Sequence, residues 1–260
     1  MGKTKLVYFS ATHTTEKLVN AVAKGIGAEA EAFNFTKLKA PPALPIFEKD
    51  DLAVIGIPVY VGRIPRFTLP YLKQLQGNGA KVVLVAVYGN RHYDDCLIEM
   101  EDMMREQGFV PVAAAALVAE HSFSSNIAGG RPNADDLAFA EDFGKKVKAK
   151  LEANADGAEL AAGAIPGNRP YRELGTSMSI APIVNENCTT CGACAAACPS
   201  GAISAADVHD INAELCIRCR ACARVCPVGA IDFTQPQFLD IIKYCESSFG
   251  SPDKEPEIIL

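Results

Sequence analysis

Apolar positions along the first 150 residues follow two rhythms. Lys5–Ser10, Asp51–Val59 and Lys81–Tyr88 are short runs too uniformly apolar to alternate, the mark of strands buried on both faces. Val110–Ala119 is a weaker run of the same kind, carrying Pro111. Between these runs the apolar residues recur at helical spacing. Leu18, Val19, Val22 and Ala23 predict a helix over Glu16–Ile26, ended by Gly25 and Gly27, and Leu69–Leu75, Asp94–Gln107 and Ala134–Glu152 read as further helices. With Asp51–Val59 as the third strand and Val110–Ala119 as the fifth, the alternation predicts an α/β, doubly wound, five-stranded parallel sheet. Ligands of such sheets bind beyond the carboxyl ends of the strands, so the loops there are the candidate site.

The first of these loops, Ser10-Ala11-Thr12-His13-Thr14-Thr15, joins a strand directly to a helix. A helix start offers free backbone amides and a positive dipole end, and the hydroxyls add donors, which together suit a monophosphate. A simple helix cap needs only one such residue. The loop after the third strand runs Pro58-Val59-Tyr60-Val61-Gly62: Pro58 ends ladder donation, Tyr60 offers an aromatic face, and Gly62 permits close approach. The loop after the fourth strand contributes Tyr88, Gly89, Asn90 and Tyr93. His121, after the fifth strand, reads as a solvated loop histidine, although a place near the rim of the site would let it deliver protons.

The cysteines change the picture most. Cys188–Ile203 returns 28 residues later as Cys216–Ile231, with ten of sixteen positions identical, and each copy has the spacing C-x2-C-x2-C-x3-C-P. That is the pattern of bacterial two-cluster ferredoxins, in which the last cysteine of each run ligates the other cluster. The pattern therefore assigns Cys188, Cys191, Cys194 and Cys226 to one 4Fe-4S cluster and Cys216, Cys219, Cys222 and Cys198 to a second, in a small α+β module. Zinc ribbons have no use for a third cysteine at the same short spacing. A disulfide framework would suit a secreted chain, and Met1-Gly2-Lys3-Thr4-Lys5 leads straight into an apolar segment with no signal peptide. Cys96 and Cys245 lie outside both runs and read as inert thiols.

A net charge of -6 argues against a nucleic-acid surface, and no apolar run reaches the length of a membrane span. The expectation is a cytoplasmic protein. The cysteine-rich stretch has five acids, Glu186, Asp207, Asp210, Glu214 and Asp232, against Arg218, Arg220 and Arg224. Bound clusters add further negative charge, so a redox protein partner should present a basic docking surface.

The upstream half resembles the flavodoxins, whose phosphate loop reads S/T-x-T-G-x-T. Ser10, Thr12 and Thr15 match its hydroxyl positions, and His13 replaces its glycine. The resemblance implies FMN, held by the first loop at its phosphate and by the 58–62 and 88–93 loops at its ring. Over most of its length the chain is similar to flavodoxin/ferredoxin fusion proteins of anaerobic metabolism, which implies a relay of electrons between clusters, FMN and larger oxidoreductases. No G-x-G-x-x-G fingerprint occurs, so a Rossmann site for NADH is not indicated. An FMN-dependent reductase fed by the clusters, or a ferredoxin on a flavin-free docking domain, remains open. So does a homodimer. The domain reading is 1–153 for the FMN domain, 154–179 for an Ala/Gly-rich linker, 180–234 for the cluster domain and 235–260 for a tail whose prolines suggest an irregular end.

Overall fold

The computed structural model describes residues 2–27, 29–154, 158–175 and 178–260. Its larger part is a parallel sheet of β1 (Thr4–Tyr8), β2 (Ala30–Asn34), β3 (Leu52–Pro58), β4 (Lys81–Tyr88) and β5 (Val110–Val118), in the order β2-β1-β3-β4-β5 of the flavodoxin-like doubly wound fold. Helices α1 (Thr14–Ile26), α2 (Leu69–Leu72), α3 (Cys96–Glu106) and α4 (Ala134–Ala153) cover it. Alternate residues of each central strand face opposite cores. Leu6, Val54 and Val85 pack under α1 and α4, while Val7, Ile55 and Leu84 pack under α2 and α3. β2 has no apolar run because it is an edge strand, with only its first and fourth residues half-buried.

The glycines near the end of α1 divide their work. Gly27 ends the helix in the left-handed conformation (φ 75°), its amide donating to Ala23 O at 3.1 Å. Gly25 instead lies inside the helix and lets α4 approach, since a Cβ there would stand 1.9 Å from Glu141 O. Gly144 answers from α4, where a Cβ would come within 2.1 Å of Val22 O.

The small module contains β6 (Ile183–Val184) paired antiparallel with β7 (Ile231–Asp232), and helices α5 (Ala193–Ala197) and α6 (Ala221–Val225). The 28-residue repeat is also a repeat of conformation. Positive φ values occur at Thr190 (52°), Gly192 (77°) and Gly201 (61°), and again at Arg218 (55°), Arg220 (58°) and Gly229 (61°).

The tail differs from its expectation. Pro236 opens helix α7 (Pro236–Phe249) at the position where a missing N–H costs nothing, and the chain then returns to the sheet as β8 (Glu257–Ile259), antiparallel to β5. The sheet therefore has six strands, and the extra one covers the β5 edge. Phe238 on α7 stacks on Phe233 of the small module (4.2 Å) and meets Phe123 of the sheet domain edge-on (4.9 Å). Residues 155–157 and 176–177 of the expected linker lie outside the described residues. Its described part packs closely: Leu160 and Ile165 are buried in the core beside α3, and Leu160 N donates to Pro111 O at 2.8 Å.

Candidate functional site

The loop after β1 closes on itself through side chains. Ser10 Oγ accepts from Glu16 N at 3.0 Å, and Ser10 N donates to Thr36 Oγ1 at 2.8 Å. His13 occupies the left-handed conformation (φ 63°) that favours glycine, which a histidine adopts at a conformational cost of order 1 kcal/mol. Among the described residues the amides of Ala11, Thr12, Thr14 and Thr15 have no protein acceptor, and the Thr12 and Thr14 hydroxyls lie 3.5 Å apart beside them. That set of donors fits a phosphate. Thr15 is buried and serves the helix packing instead. Glu16 takes a hydrogen bond from Tyr8 OH (2.8 Å) and pairs with His13 Nδ1 (2.7 Å). Burial alone would raise the Glu16 carboxyl, but these partners outweigh it and hold it below the ordinary carboxylate range. Burial and Glu16 push the Tyr8 hydroxyl up to about 12.

The other two loops divide unequally. Pro58, Val59 and Tyr60 are half-buried and Val61 is 63% exposed, so this loop faces outward. Tyr60 packs edge-on against Phe67 at 5.2 Å. Gly62 receives the Asp94 carboxylate where a side chain would sit, its φ being 78°. Tyr88 and Tyr93 turn inward: Tyr93 OH donates to Glu257 on β8 at 2.7 Å, and burial followed by the charge of Glu257 raises the Tyr88 hydroxyl to about 12. Asn90 holds the tail, donating to Phe249 O (2.7 Å) and accepting from Lys254 N (2.7 Å). Gly89 is covered by His121, whose ring a Cβ at 89 would strike at 2.6 Å. His121 is thus a packed residue rather than a solvated one. Burial, and after it the charge of Arg224, pushes its ring down to about 4, and Nδ1 accepts from Phe123 N (3.1 Å), which leaves a neutral ring protonated at Nε2.

The eight motif cysteines surround two cavities. Cys198, Cys216, Cys219 and Cys222 line one, and Cys188, Cys191, Cys194 and Cys226 line the other. Among the described residues no three His, Cys, Asp or Glu side chains close on a single metal ion. Ala202 N donates to Cys198 Sγ and Ala230 N to Cys226 Sγ, both at 3.2 Å and 28 residues apart. Amides aimed at sulfur stabilise thiolate, and bonds of this kind tune cluster potentials. At Cys226 burial acts upward, but amides from Ala230, Val228, Ile231 and Gly229 outweigh it and lower the thiol. Cys219 and Cys222 are pushed up to about 12, chiefly by burial. Cys96 is fully buried and well above the ordinary thiol range for the same reason.

The two halves of the chain meet through residues that no motif marks. Leu38 N donates to Pro199 O (2.9 Å) and Lys39 Nζ to Gly201 O (3.1 Å), and Lys37 binds Ala196 O. Arg224 pairs with Glu120 (2.7 Å), while Arg220 joins Phe123 O to its own Asp232. These contacts lie some 160 or 100 residues apart in sequence, and only the basic character of Lys37, Lys39, Arg220 and Arg224 hinted at them.

Residues 187–230 match the family described as the 4Fe-4S dicluster domain. A flavodoxin from the domain Archaea is 16% identical, with 58% of this chain and 99% of that one covered at a TM-score of 0.41. The Streptococcus pneumonia TIGR4 flavodoxin is 18% identical over 57% and 99% (TM-score 0.40), and the Megasphaera elsdenii flavodoxin 18% over 55% and 98% (TM-score 0.38). No curated protein matches the sequence. Among the described residues, no helix is long and apolar enough to cross a membrane.

Proposed function

We propose, from a flavodoxin-like sheet joined to a 4Fe-4S dicluster segment, that this chain is a cytoplasmic iron-sulfur flavoprotein relaying electrons between two 4Fe-4S clusters, FMN and a redox protein partner. In this reading Cys188, Cys191, Cys194 and Cys226 hold one cluster, and Cys198, Cys216, Cys219 and Cys222 the other. Residues 1–153 hold the flavin, its phosphate at Ser10–Thr15 and its ring beside Val59–Val61. The observation that carries the reading is the gathering of four thiols, Cys198, Cys216, Cys219 and Cys222, around a cavity whose wall residue Ile217 packs against the core of the sheet domain. Burial first, and the charge of Cys219 after it, raise the Tyr60 hydroxyl well above its ordinary value. Clusters exchange single electrons, and bound FMN supplies a step between one- and two-electron chemistry. The residues of the chain orient both groups, exclude water from the Cys198/Cys216/Cys219/Cys222 cavity through Pro199, Ile203 and Phe233, and keep a neutral Nε2–H on His121.

A second reading, a ferredoxin on a flavin-free docking domain, draws on one feature: Asp94 and His121 fill the space in front of Gly62 and Gly89. Acid-released flavin and iron, measured on one anaerobically purified sample, decide between them. One FMN with about eight irons per chain is the expected result. Eight irons with no flavin, even after FMN is added, would establish the docking reading instead.

A further inference from the structure

The two cysteine cavities differ in what surrounds them. The Cys198/Cys216/Cys219/Cys222 cavity is walled by Pro182, Pro199, Ala202, Ile203 and Phe233, all buried, and none of its lining residues is exposed, Cys198, Ile211, Cys216, Ile217, Arg218 and Arg220 being half-buried. Ile217 packs into the core of the sheet domain, and Leu38, Lys37 and Lys39 hold the 196–201 segment that carries Cys198. Both cavities are lined by the module alone, but among the described residues no such contact with the sheet domain adjoins the Cys188/Cys191/Cys194/Cys226 cavity, and Thr189, Cys191 and Val228 on its wall are exposed, Val228 at 47%.

Charge differs as well: Glu214, the twin of Glu186, is exposed two residues before Cys216, but Arg218, Arg220 and Arg224 accompany it in the second copy only. Arg220 and Arg224 of the module reach toward the sheet domain and bind Phe123 O, His121 O and Glu120 there. Glu186, two residues before Cys188, and Asp207 and Asp210, which flank the cavity residue Val208, are exposed. The one basic side chain among them is His209, paired with Asp207 at 3.1 Å. An apolar centre of Val228 and the cysteine loop, rimmed by acids, is the complement of a basic protein surface.

We propose that the Cys188/Cys191/Cys194/Cys226 cluster is the port at which this protein exchanges single electrons with a basic redox protein, docked over Val228 between Glu186, Asp207 and Asp210, and that the other cluster is internal. This rests on the two-cluster reading above. Each transfer moves one electron between the outer cluster and a one-electron centre of the partner, with no proton or bond exchanged. The inner cluster then communicates with the sheet domain alone.

The test uses the holoprotein, reduced with dithionite and freed of excess reductant, and oxidised cytochrome c as a basic one-electron acceptor. Its reduction is followed by stopped flow at low and high salt. Charge reversal at Glu186→Lys with Asp207→Lys is expected to slow the second-order rate at least about tenfold at low salt and to flatten its salt dependence. Reversal of the same number of charges on the sheet domain, Glu31→Lys with Glu152→Lys, is expected to stay within about twofold of the native protein. Equal slowing by both pairs, or no slowing by the first, would overturn the port. Iron is counted on every sample: a native protein lacking iron-sulfur absorption refutes the underlying reading, whereas full clusters with equal rates refute only the port.

Discussion

Thr190, Gly192 and Ala196 in the first copy of the repeat correspond, 28 residues on, to Arg218, Arg220 and Arg224 in the second. The backbone at the first two pairs is left-handed in both copies, so the loops that carry the cysteines have one shape. The surroundings differ. Arg220 and Arg224 bind the sheet domain, and Arg218 binds Met178 O in the segment leading into the module, whereas the first copy presents its small residues outward or, at Ala196, a carbonyl to Lys37. At these three positions the second copy departs from its twin where it turns to a new neighbour. An arginine at a left-handed position costs of order 1 kcal/mol relative to glycine, which only a contact of comparable worth offsets.

The largest expected effect breaks the symmetry of the cysteines. Cys222 is buried and Cys191 exposed. Cys222→Ala should leave the module without either cluster, because the cavity it lines is walled by the buried Pro199, Ile203 and Phe233 that form the centre of the module, whose folding depends on the metal. Cys191→Ala should affect only the exposed cluster, leaving roughly four to seven irons per chain. Iron analysis with visible circular dichroism distinguishes them, and equal iron in both variants would end the inner/outer distinction.

Next in size is the tail. Phe238 is 1% exposed and lies between Phe233 and Phe123, so Phe238→Ala should cost about 3 kcal/mol and loosen the cluster module from the sheet domain. Chemical denaturation that changes from one transition to two would display the loss. A single transition at unchanged midpoint would mean that Lys37, Lys39, Arg220 and Arg224 suffice without the tail.

These contacts mark where the sequence stops being legible. The central strands and the cysteine grouping could be read because each rests on a local rule, the apolar run of a doubly buried strand and the C-x2-C spacing. β2 could not, since an exposed edge strand needs no apolar run, and its Ala30, Glu31 and Ala32 resemble a helix as much as a strand. The tail is not legible either, because Pro252 and Pro256 flank its turn into β8 rather than prevent it, and because β8 pairs with a strand about 140 residues away. The glycines at 62 and 89 illustrate the same limit. Close approach is legible at Gly62 alone, and the groups that approach the two glycines, Asp94 and His121, come from other segments.

A smaller effect follows from Arg220→Gly. Relief of the left-handed strain and loss of the half-exposed pair with Asp232 are each of order 1 kcal/mol and opposite in sign, so stability should change little. The bond to Phe123 O disappears, and hydrogen exchange in the 120–124 segment should accelerate while exchange around Gly192, the twin position, stays as it was. A uniform change in both places would mean that Arg220 acts on the fold of the module rather than on the interface.

The smallest expected effect concerns the segment between the two regions. Asp95 accepts from Asn168 N (2.8 Å), Asn168 Nδ2 (3.0 Å) and Arg172 N (2.7 Å), and so fastens residues 158–175 to α3. Burial raises its carboxyl, but these donors outweigh burial and hold it below the ordinary range. A carboxyl depressed in the folded state contributes stability that is complete above its unfolded value, near 3.9, and is lost as pH falls through the lower folded value. The fastening should therefore be unchanged from pH 7 to about 5 and weaken only below about 4. Asp95→Asn presents one acceptor oxygen to donors that the carboxylate shares between two, so amide exchange at Asn168 and Arg172 should rise severalfold at pH 7 with iron content unaffected. Unchanged exchange would assign the hold on this segment to buried Leu160 and Ile165 instead, and the connection between the two regions would be apolar rather than ionic.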